Sequence, residues 1–159
     1  MQLITAERPF LRPLRLRSLS AVAAELDRLR QAQQVLLSPG WELPHTLDHC
    51  ARSIEHAMSG FPELKHPVFR TLIGPAAFHV FDWRGYMQHN LSDEIPGDPG
   101  PPAEYPTEAA LQRLLDSILA FEAWQGDLQP HFAYGHLSKS QYERANAMHI
   151  ANHLAALDY

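Results

Sequence analysis

The sequence contains very little cysteine and no long apolar run. Its 159 residues include one cysteine, Cys50, so no disulfide can form within the chain, and we expect a cytoplasmic protein. No stretch approaches the roughly 20 apolar residues that a membrane-spanning helix needs. Residues 1–17 lack the continuous apolar centre of a signal peptide and are interrupted by Pro9 and Pro13. We therefore predict an N-terminal arm over residues 1–17, followed by one domain over residues 18–159.

The chain also has no excess of positive charge. It carries 13 Lys and Arg against 18 Asp and Glu, a net charge of −5 with neutral histidines. This balance argues against nucleic-acid and membrane partners. No glycine-rich phosphate loop, nucleophile elbow or HExxH motif is present. The chemistry of the chain must therefore come from another pattern, and its ten histidines are the unusual feature.

Two of these histidines share one face of a predicted C-terminal helix over residues 138–157. Ser138 and Gln141 have the spacing of a capping box at its start. His149 and His153 are four residues apart, so their side chains project one turn above the other. A helix fixes the relative direction of such a pair, which can then bind one metal ion. The alternative is that an HxxxH pair arises by chance and that its histidines simply pack or cap.

A third ligand is available in the second predicted helix, over residues 43–58. His49 lies at mid-helix between the core positions Leu47 and Cys50. Three protein nitrogens leave coordination positions for water or substrate, as in a catalytic site. Such a site suits Zn²⁺, Ni²⁺ or Fe²⁺. The predicted metal ligands are therefore His49, His149 and His153.

Helical periodicity extends over most of the chain. Apolar stripes predict helices over residues 20–37, 43–58, 107–124 and 138–157, and no period-2 stretch indicates a strand. Residues 61–106 form a long connection with two short helical pieces, 67–72 and 75–83, separated at Gly74-Pro75, and a proline-rich end. We therefore predict an all-α four-helix bundle with one long, proline-rich crossover between helices two and three.

The remaining candidate residues have weaker support. A di-iron centre is disfavoured because none of His49, His149 and His153 has a glutamate three residues before it. Cys50 is expected to be a small buried apolar residue rather than a nucleophile. His45 and His56 are expected to lie on a helix flank, and His79 and His89 to be surface or loop histidines. Asp48 or Glu55 is a candidate for orienting a ligand. Arg52, Ser53 and Glu55 are candidates for positioning substrate or transferring a proton.

Several motifs resemble one known group of proteins. They are Leu47-Asp48-His49-Cys50-Ala51, Ser53-Ile54-Glu55, Met58, Gly60-Phe61-Pro62, Gly74-Pro75-Ala76-Ala77-Phe78, Ile95-Pro96-Gly97 and residues 135–153. Together with the histidine triad, they are similar to the DinB-like superfamily of metal-binding four-helix bundles. Within it, they resemble an uncharacterised branch known only as a domain of unknown function. The chain departs from the expected pattern at Asn152, where a second histidine beside His153 is expected, and at Ala155-Ala156, where polar residues are expected.

The resemblance implies a divalent ion held by His49, His149 and His153, and a homodimer. Relatives in the superfamily include transferases that use low-molecular-weight thiols and a few metal-dependent hydrolases or isomerases. The favoured hypothesis is therefore a metal-dependent enzyme, a thiol-dependent transferase or a hydrolase, acting on a small-molecule substrate. The alternative is a non-catalytic metal-binding or stress-associated bundle, in which a fourth ligand such as His56 or Cys50 closes the site.

Overall fold

Five α-helices and a three-stranded sheet make up the protein, in a computed structural model that describes residues 1–159. None of the helices combines the length and the apolar composition that a membrane-spanning helix requires. In chain order, the elements are β1 (Gln2–Thr5), α1 (Leu19–Gln31), β2 (Gln34–Leu37), α2 (Leu43–Ser59), a π-helical segment (Phe69–Ile73), α3 (Gly74–Arg84), α4 (Thr107–Ala123), α5 (Lys139–Leu154) and β3 (Leu157–Asp158).

The sheet shows that the prediction of an all-α four-helix bundle is wrong, because the fold is α/β. Strand β2 lies at its centre, with β1 parallel on one side and β3 antiparallel on the other. Gln2 pairs with Gln34, and Leu37 pairs with Leu157. The sheet therefore joins three distant parts of the chain, and β3 directly follows the helix that carries His149 and His153.

The predicted first helix fails in its second half. It ends at Gln31, since Ala32 has an extended backbone with ψ of 132°. Residues 34–37 then alternate in exposure, because Val35 and Leu37 are buried whereas Gln34 is exposed. The sequence Gln-Val-Leu-Leu does not show this alternation, because Leu36 is apolar as well. Within residues 1–17, β1 pairs with β2, and the backbone N–H of Arg12 donates to the carbonyl oxygen of Ala155 at 2.8 Å.

The other three long helices lie close to their predicted bounds. Helix α2 ends at Gly60, whose φ of 103° favours glycine. Helix α4 begins one residue after its N-cap, Pro106. Helix α5 begins with the predicted capping box, in which the Ser138 hydroxyl accepts from Gln141 N–H and the Gln141 side chain accepts from Ser138 N–H. Local sequence signals thus predicted the bounds of α2 and α5, the two helices that carry the three histidines.

A single main core joins the helices to the sheet. Helix α2 packs along α4. Helix α2 also contacts α5, and α4 also contacts α1, and fully buried leucine and isoleucine side chains fill the core between the helices. Burying each such side chain stabilises the fold by about 1.5–3 kcal/mol. These side chains include Leu26, Leu29, Leu47, Ile54, Leu111, Leu114 and Ile118.

The crossover begins with a continuous helical region rather than two separate pieces. The π-helical segment runs directly into α3, and the N–H of Gly74 donates to the carbonyl oxygen of Phe69. Pro75 has no N–H for the carbonyl one α-turn earlier, which is compatible with the wider local turn. A Cβ on Gly74 would lie 1.8 Å from the carbonyl oxygen of Ala133. The glycine therefore allows the loop at residues 131–135 to touch the helix.

The proline-rich end of the crossover is fixed to α2 by charged side chains. Arg52 donates to Asp98 at 3.0 Å and to the carbonyl oxygen of Gly100 at 2.9 Å. The His56 ring nitrogen Nε2 lies 2.6 Å from the second carboxylate oxygen of Asp98, whose pKa is held below its usual range. Although burial opposes that shift, the hydrogen bonds from His56 and Gly100 and the charge of Arg52 outweigh it. The crossover is thus held beside the face of α2 that carries His49.

Candidate metal centre

Helices α2 and α5 bring His49, His149 and His153 together. One ring nitrogen from each lies within 4.8 Å of the others. The Nε2 atoms of His49 and His149 are 3.1 Å apart. Two nitrogens bound at about 2.0–2.1 Å to a tetrahedral ion are about 3.3 Å apart, so this pair already has nearly the required separation. The ring of His153 lies 4.8 Å from each of the other two rings, between centroids.

The surroundings keep these imidazoles neutral. Burial, followed by repulsion from His89 and His45, lowers the pKa of His49 to about 4. Burial and then the neighbouring imidazoles hold the pKa values of His149 and His153 well below the usual range. A neutral imidazole has a free nitrogen lone pair, which is the form that binds a metal. The three rings are therefore in the ligating protonation state at neutral pH.

The ring of His153 has a buried nitrogen without a partner. Its Nε2 makes no hydrogen bond, although His153 is only 2% exposed. Leaving such a polar atom unpaired costs free energy in a protein interior. The indole of Trp41 stacks parallel to the His153 ring, with centroids 5.9 Å apart and an angle of 5°. Trp41 thus limits how far the ring can turn, and the unpaired nitrogen fits a ligand to a cation.

A fourth histidine, His89 of the crossover, also touches the group. Its Nε2 lies 3.3 Å from Nδ1 of His149, the nitrogen opposite the one that approaches His49. The amide nitrogen of Asn152 donates to the carbonyl oxygen of His89 at 3.3 Å and lies 3.1 Å from its ring Nδ1. Burial lowers the pKa of His89 as well. His89 is a loop histidine, as expected, but it is half-buried and contacts the histidine group rather than lying apart from it.

The carboxylate nearest to the histidines is that of Glu94. One of its oxygens is 3.9 Å from His49 Nδ1 and the other is 2.8 Å from His45 Nε2. The ring of His45 also stacks on Trp41, with centroids 4.3 Å apart. A carboxylate facing the non-ligating nitrogen of a histidine is a common way to orient a metal ligand. Glu94 lies in the place expected of such a group.

Asp48 and Glu55 were expected to orient a ligand, but both carboxylates face α4. Arg113 donates to Asp48 at 2.6 Å and to Glu55 at 2.9 and 2.6 Å. Ser117 adds a bond to Glu55 at 2.9 Å. These two carboxylates therefore stabilise the packing of α2 on α4 and take no part in the histidine group.

A cavity of about 510 Å³ adjoins the group, and His49, His89 and His149 line part of it. Ser53 also lines it, with its hydroxyl donating to the carbonyl oxygen of Cys50. This volume lies within the range of about 300–1,000 Å³ that is usual for small-molecule sites. The rest of its wall is mainly aromatic and apolar: Phe61, Phe69, Phe81, Met87, Phe132 and Tyr134.

The sequence of the chain matches one protein family over nearly its whole length. The model of a family described as a protein of unknown function (DUF1569) matches residues 10–158. The chain belongs to the DUF1569 family. This agrees with the resemblance to an uncharacterised domain, whereas the wider DinB-like grouping stays a prediction. No curated protein and no solved structure matches the chain.

Other predicted candidates in this DUF1569 chain lie outside the histidine group. Cys50 is fully buried, and burial raises the pKa of its thiol, as expected for a small apolar residue. Both ring nitrogens of His56 are engaged, by Gly60 and Asp98, and Arg52 holds the crossover. His79 is exposed. None of these closes the site as a fourth ligand.

The sequence did not predict that Trp41, Glu94 and Asn146 lie near the site, or that His89 contacts it. Trp41 and Glu94 lie outside regular elements, and His89 lies in the crossover, so no periodicity relates them to the triad. Asn146 is different, because it precedes His149 by three residues and therefore lies on the same face of α5. Following the face of His149 and His153 one turn toward the start of α5 identifies Asn146 from the sequence alone.

Proposed function

We propose that the protein is a divalent-metal-dependent enzyme whose ion is held by His49, His149 and His153. The observation that carries this proposal is the unpaired, buried Nε2 of His153 beside two other neutral imidazoles. Nitrogen donors of this kind suit Zn²⁺, Ni²⁺ or Fe²⁺. An ion bound there lowers the pKa of a coordinated water or thiol and so supplies a nucleophile at neutral pH.

The surrounding residues support a ligating arrangement. Glu94 faces Nδ1 of His49, which leaves Nε2 of His49 for the ion. His89 faces Nδ1 of His149, which likewise leaves Nε2 of that ring. Trp41 packs on His153 and holds the plane of its ring. Each predicted ligand thus has a different neighbour beside its ring, and metal-binding histidines usually have such partners.

The cavity favours an enzyme over a closed structural site. His49 and His149 form part of its wall, so a molecule in the cavity reaches the same two rings that approach each other. A catalytic site needs such access, whereas a structural site is enclosed by four protein ligands. We propose a thiol-dependent transferase or a hydrolase acting on a small molecule, since both reactions use the nucleophile described above.

The test is metal analysis of protein purified without a histidine tag. After loading with Zn²⁺ and gel filtration, we expect about one ion per chain, measured by inductively coupled plasma mass spectrometry. The variant His153→Ala should retain less than about one-tenth of that amount. The variant His79→Ala is the matched control, because His79 is exposed and belongs neither to the histidine group nor to the cavity wall. It should retain the full amount of zinc.

Equal metal content in His153→Ala and in the unaltered protein would contradict the site. Metal without turnover would instead support the non-catalytic alternative. Turnover is best sought with the metal-loaded protein and panels of low-molecular-weight thiols with electrophilic acceptors, and of esters and amides. The His153→Ala variant serves as the inactive reference in each panel.

A further inference from the structure

The cavity beside the histidine triad has one buried polar group that no protein atom satisfies. Asn146 lines the cavity and is only 5% exposed, yet its amide nitrogen Nδ2 has no hydrogen-bond partner. A buried amide N–H without a partner costs about 1–3 kcal/mol. The terminal torsion of an asparagine is broad, so the amide can rotate to present this donor to a molecule in the cavity that the side chain lines. Asn146 therefore offers a hydrogen bond to an occupant.

The position of Asn146 relates it directly to the triad. Asn146, His149 and His153 follow one another on one face of α5, at spacings of three and four residues. Three residues of helix, a rise of about 4.5 Å, separate the level of Asn146 from that of His149. A molecule that reaches the triad with one group can thus meet Asn146 with an atom only a few bonds away.

The wall of the cavity indicates what the rest of that molecule is like. Its three charged side chains, Lys65, Asp93 and Glu94, are all exposed to solvent. The less exposed lining is uncharged and largely aromatic, with Phe61 and Phe132 rings 5.3 Å apart and His131 stacked on Tyr134 at 4.3 Å. Such a wall binds an apolar, preferably aromatic body and disfavours a buried charge.

We propose that the cavity takes an uncharged molecule with an aromatic body and a carbonyl oxygen, and that this oxygen accepts a hydrogen bond from the Asn146 amide. Amides, esters and ketones with an aryl group share this chemistry. The inference rests on the proposed function only in placing the reacting group at the triad. Binding in the cavity itself requires the apolar wall and Asn146, so it can be tested separately.

The test is ligand-observed NMR titration with three probes. Phenylacetamide has both the ring and the carbonyl oxygen, ethylbenzene has the ring alone, and acetamide has the amide alone. We expect phenylacetamide to bind most tightly and acetamide to show no binding. The variant Asn146→Leu keeps the approximate volume but removes the donor. It should weaken phenylacetamide about fivefold, as expected for one neutral hydrogen bond, and leave ethylbenzene unchanged.

A pair of alanine variants locates the binding. Ala77 is half-buried and lines the cavity, whereas its neighbour Ala76 is exposed and does not. Ala77→Phe should fill the space and abolish binding of both aromatic probes, and Ala76→Phe should not. Circular dichroism and thermal unfolding of each variant confirm that it is folded, and Asn146→Leu provides an independent result if Ala77→Phe is not.

Each result bears on one idea alone. No binding of phenylacetamide, equal binding by the Asn146→Leu variant, or binding unaffected by a folded Ala77→Phe variant would overturn the inference. The titrations are run on zinc-loaded and on chelator-treated protein, with metal content measured in both. Absence of bound zinc counts against the proposed function, whereas the pattern among probes and variants decides the occupant of the cavity.

Discussion

The Nε2 atoms of His49 and His149 lie 3.1 Å apart, although the two residues are 100 positions apart in the chain. One comes from the middle of α2 and the other from α5, and both are held in a neutral state by burial. Two lone pairs that face each other without an intervening proton or cation repel. A shared proton relieves this repulsion in the free protein, and a metal ion relieves it at both rings and at His153.

His89 should tighten metal binding without being a ligand. Its Nε2 lies 3.3 Å from His149 Nδ1 and so orients that ring. Removal of a group that orients a metal ligand typically weakens affinity by about 10–100-fold. We expect His89→Ala to weaken Zn²⁺ affinity by this factor, measured by competition with a chromophoric chelator. The exposed His79→Ala variant is the control, and an unchanged affinity in His89→Ala would remove His89 from the site.

The pH dependence of stability should report on His131. Its Nδ1 accepts from the N–H groups of Ala133 and Tyr134, both at 3.1 Å. Burial, and then the positive charge of Lys65, lowers the pKa of His131 to about 3. In the unfolded chain this pKa is about 6.5, so the unfolded state takes up the proton first as the pH falls. As the pH falls from 6.5 to 3, His131 therefore lowers the free energy of unfolding by up to about 1.4 kcal/mol per pH unit.

The variant His131→Asn tests this dependence, because an amide oxygen can accept the same two N–H groups but does not titrate. Urea unfolding in the presence of a chelator, at pH 7, 6, 5 and 4, should give a flatter profile than the unaltered protein. His136→Asn changes an exposed histidine five residues away and should leave the profile as it is. Parallel profiles for the protein and His131→Asn would show that His131 does not titrate differently on folding.

Gly74 should tolerate no side chain. Its φ is −60°, so alanine fits the backbone there and would even favour a helix. However, a Cβ would lie 1.8 Å from the carbonyl oxygen of Ala133, which is backbone and cannot simply rotate away. We expect Gly74→Ala to lower the free energy of unfolding by about 3 kcal/mol, measured by urea denaturation at neutral pH.

Gly100→Ala is the comparison for Gly74. A Cβ on Gly100 meets no atom within 4 Å, but its φ of 70° favours glycine. Its cost should be the conformational one alone, about 1 kcal/mol. Equal losses in the two variants would mean that the loop at residues 131–135 moves freely away from α3.

Asp48 should be essential for packing and dispensable for metal binding. Its carboxylate is fully buried and accepts from Arg52 at 2.5 Å and from Arg113 at 2.6 Å. Removing one partner from a buried ionic group costs about 3–5 kcal/mol, and the partial exposure of both arginines places Asp48→Asn near 3 kcal/mol. Urea unfolding measures this loss. Glu108→Gln, at a pair in which the Glu108 side chain is 72% exposed, should cost less than about 0.5 kcal/mol.

The zinc content of folded Asp48→Asn protein should equal that of the unaltered protein, since Asp48 faces α4 and not the histidines. A loss of metal in this variant at full folding would instead connect the ionic pairs to the site. The two measurements together separate a role in stability from a role in ligation.

Sequence patterns predicted the parts of the fold that depend on near neighbours. The capping box at Ser138, the stop at Gly60 and the i, i+4 pair of His149 and His153 all involve residues within a few positions of one another. Local sequence decides such features, since helix formation and capping are local interactions. The proximity of His49 to that pair followed from its mid-helix position beside core residues.

The predictions that failed concern contacts between residues that are far apart in the chain. Residues 34–37 form a strand because Val35 and Leu37 are buried against partners near both ends of the chain, so no short window reveals it. His89 reaches His149 through a crossover whose path is set by Arg52, Asp98 and Gly100. Neither arrangement leaves a periodic trace in the sequence. Sheet pairing and loop placement were therefore the parts that required the structure.

The order of the sheet has a consequence for synthesis of the protein. Strand β2 is complete when residue 37 is made, yet it receives β3 only after residues 157–158 have emerged from the ribosome. The helix that carries His149 and His153 emerges just before that strand. A nascent chain that already contains His49 thus cannot bring all three rings of the proposed metal centre together until α5 has emerged as well, so the histidine group and the sheet are completed at nearly the same stage of synthesis.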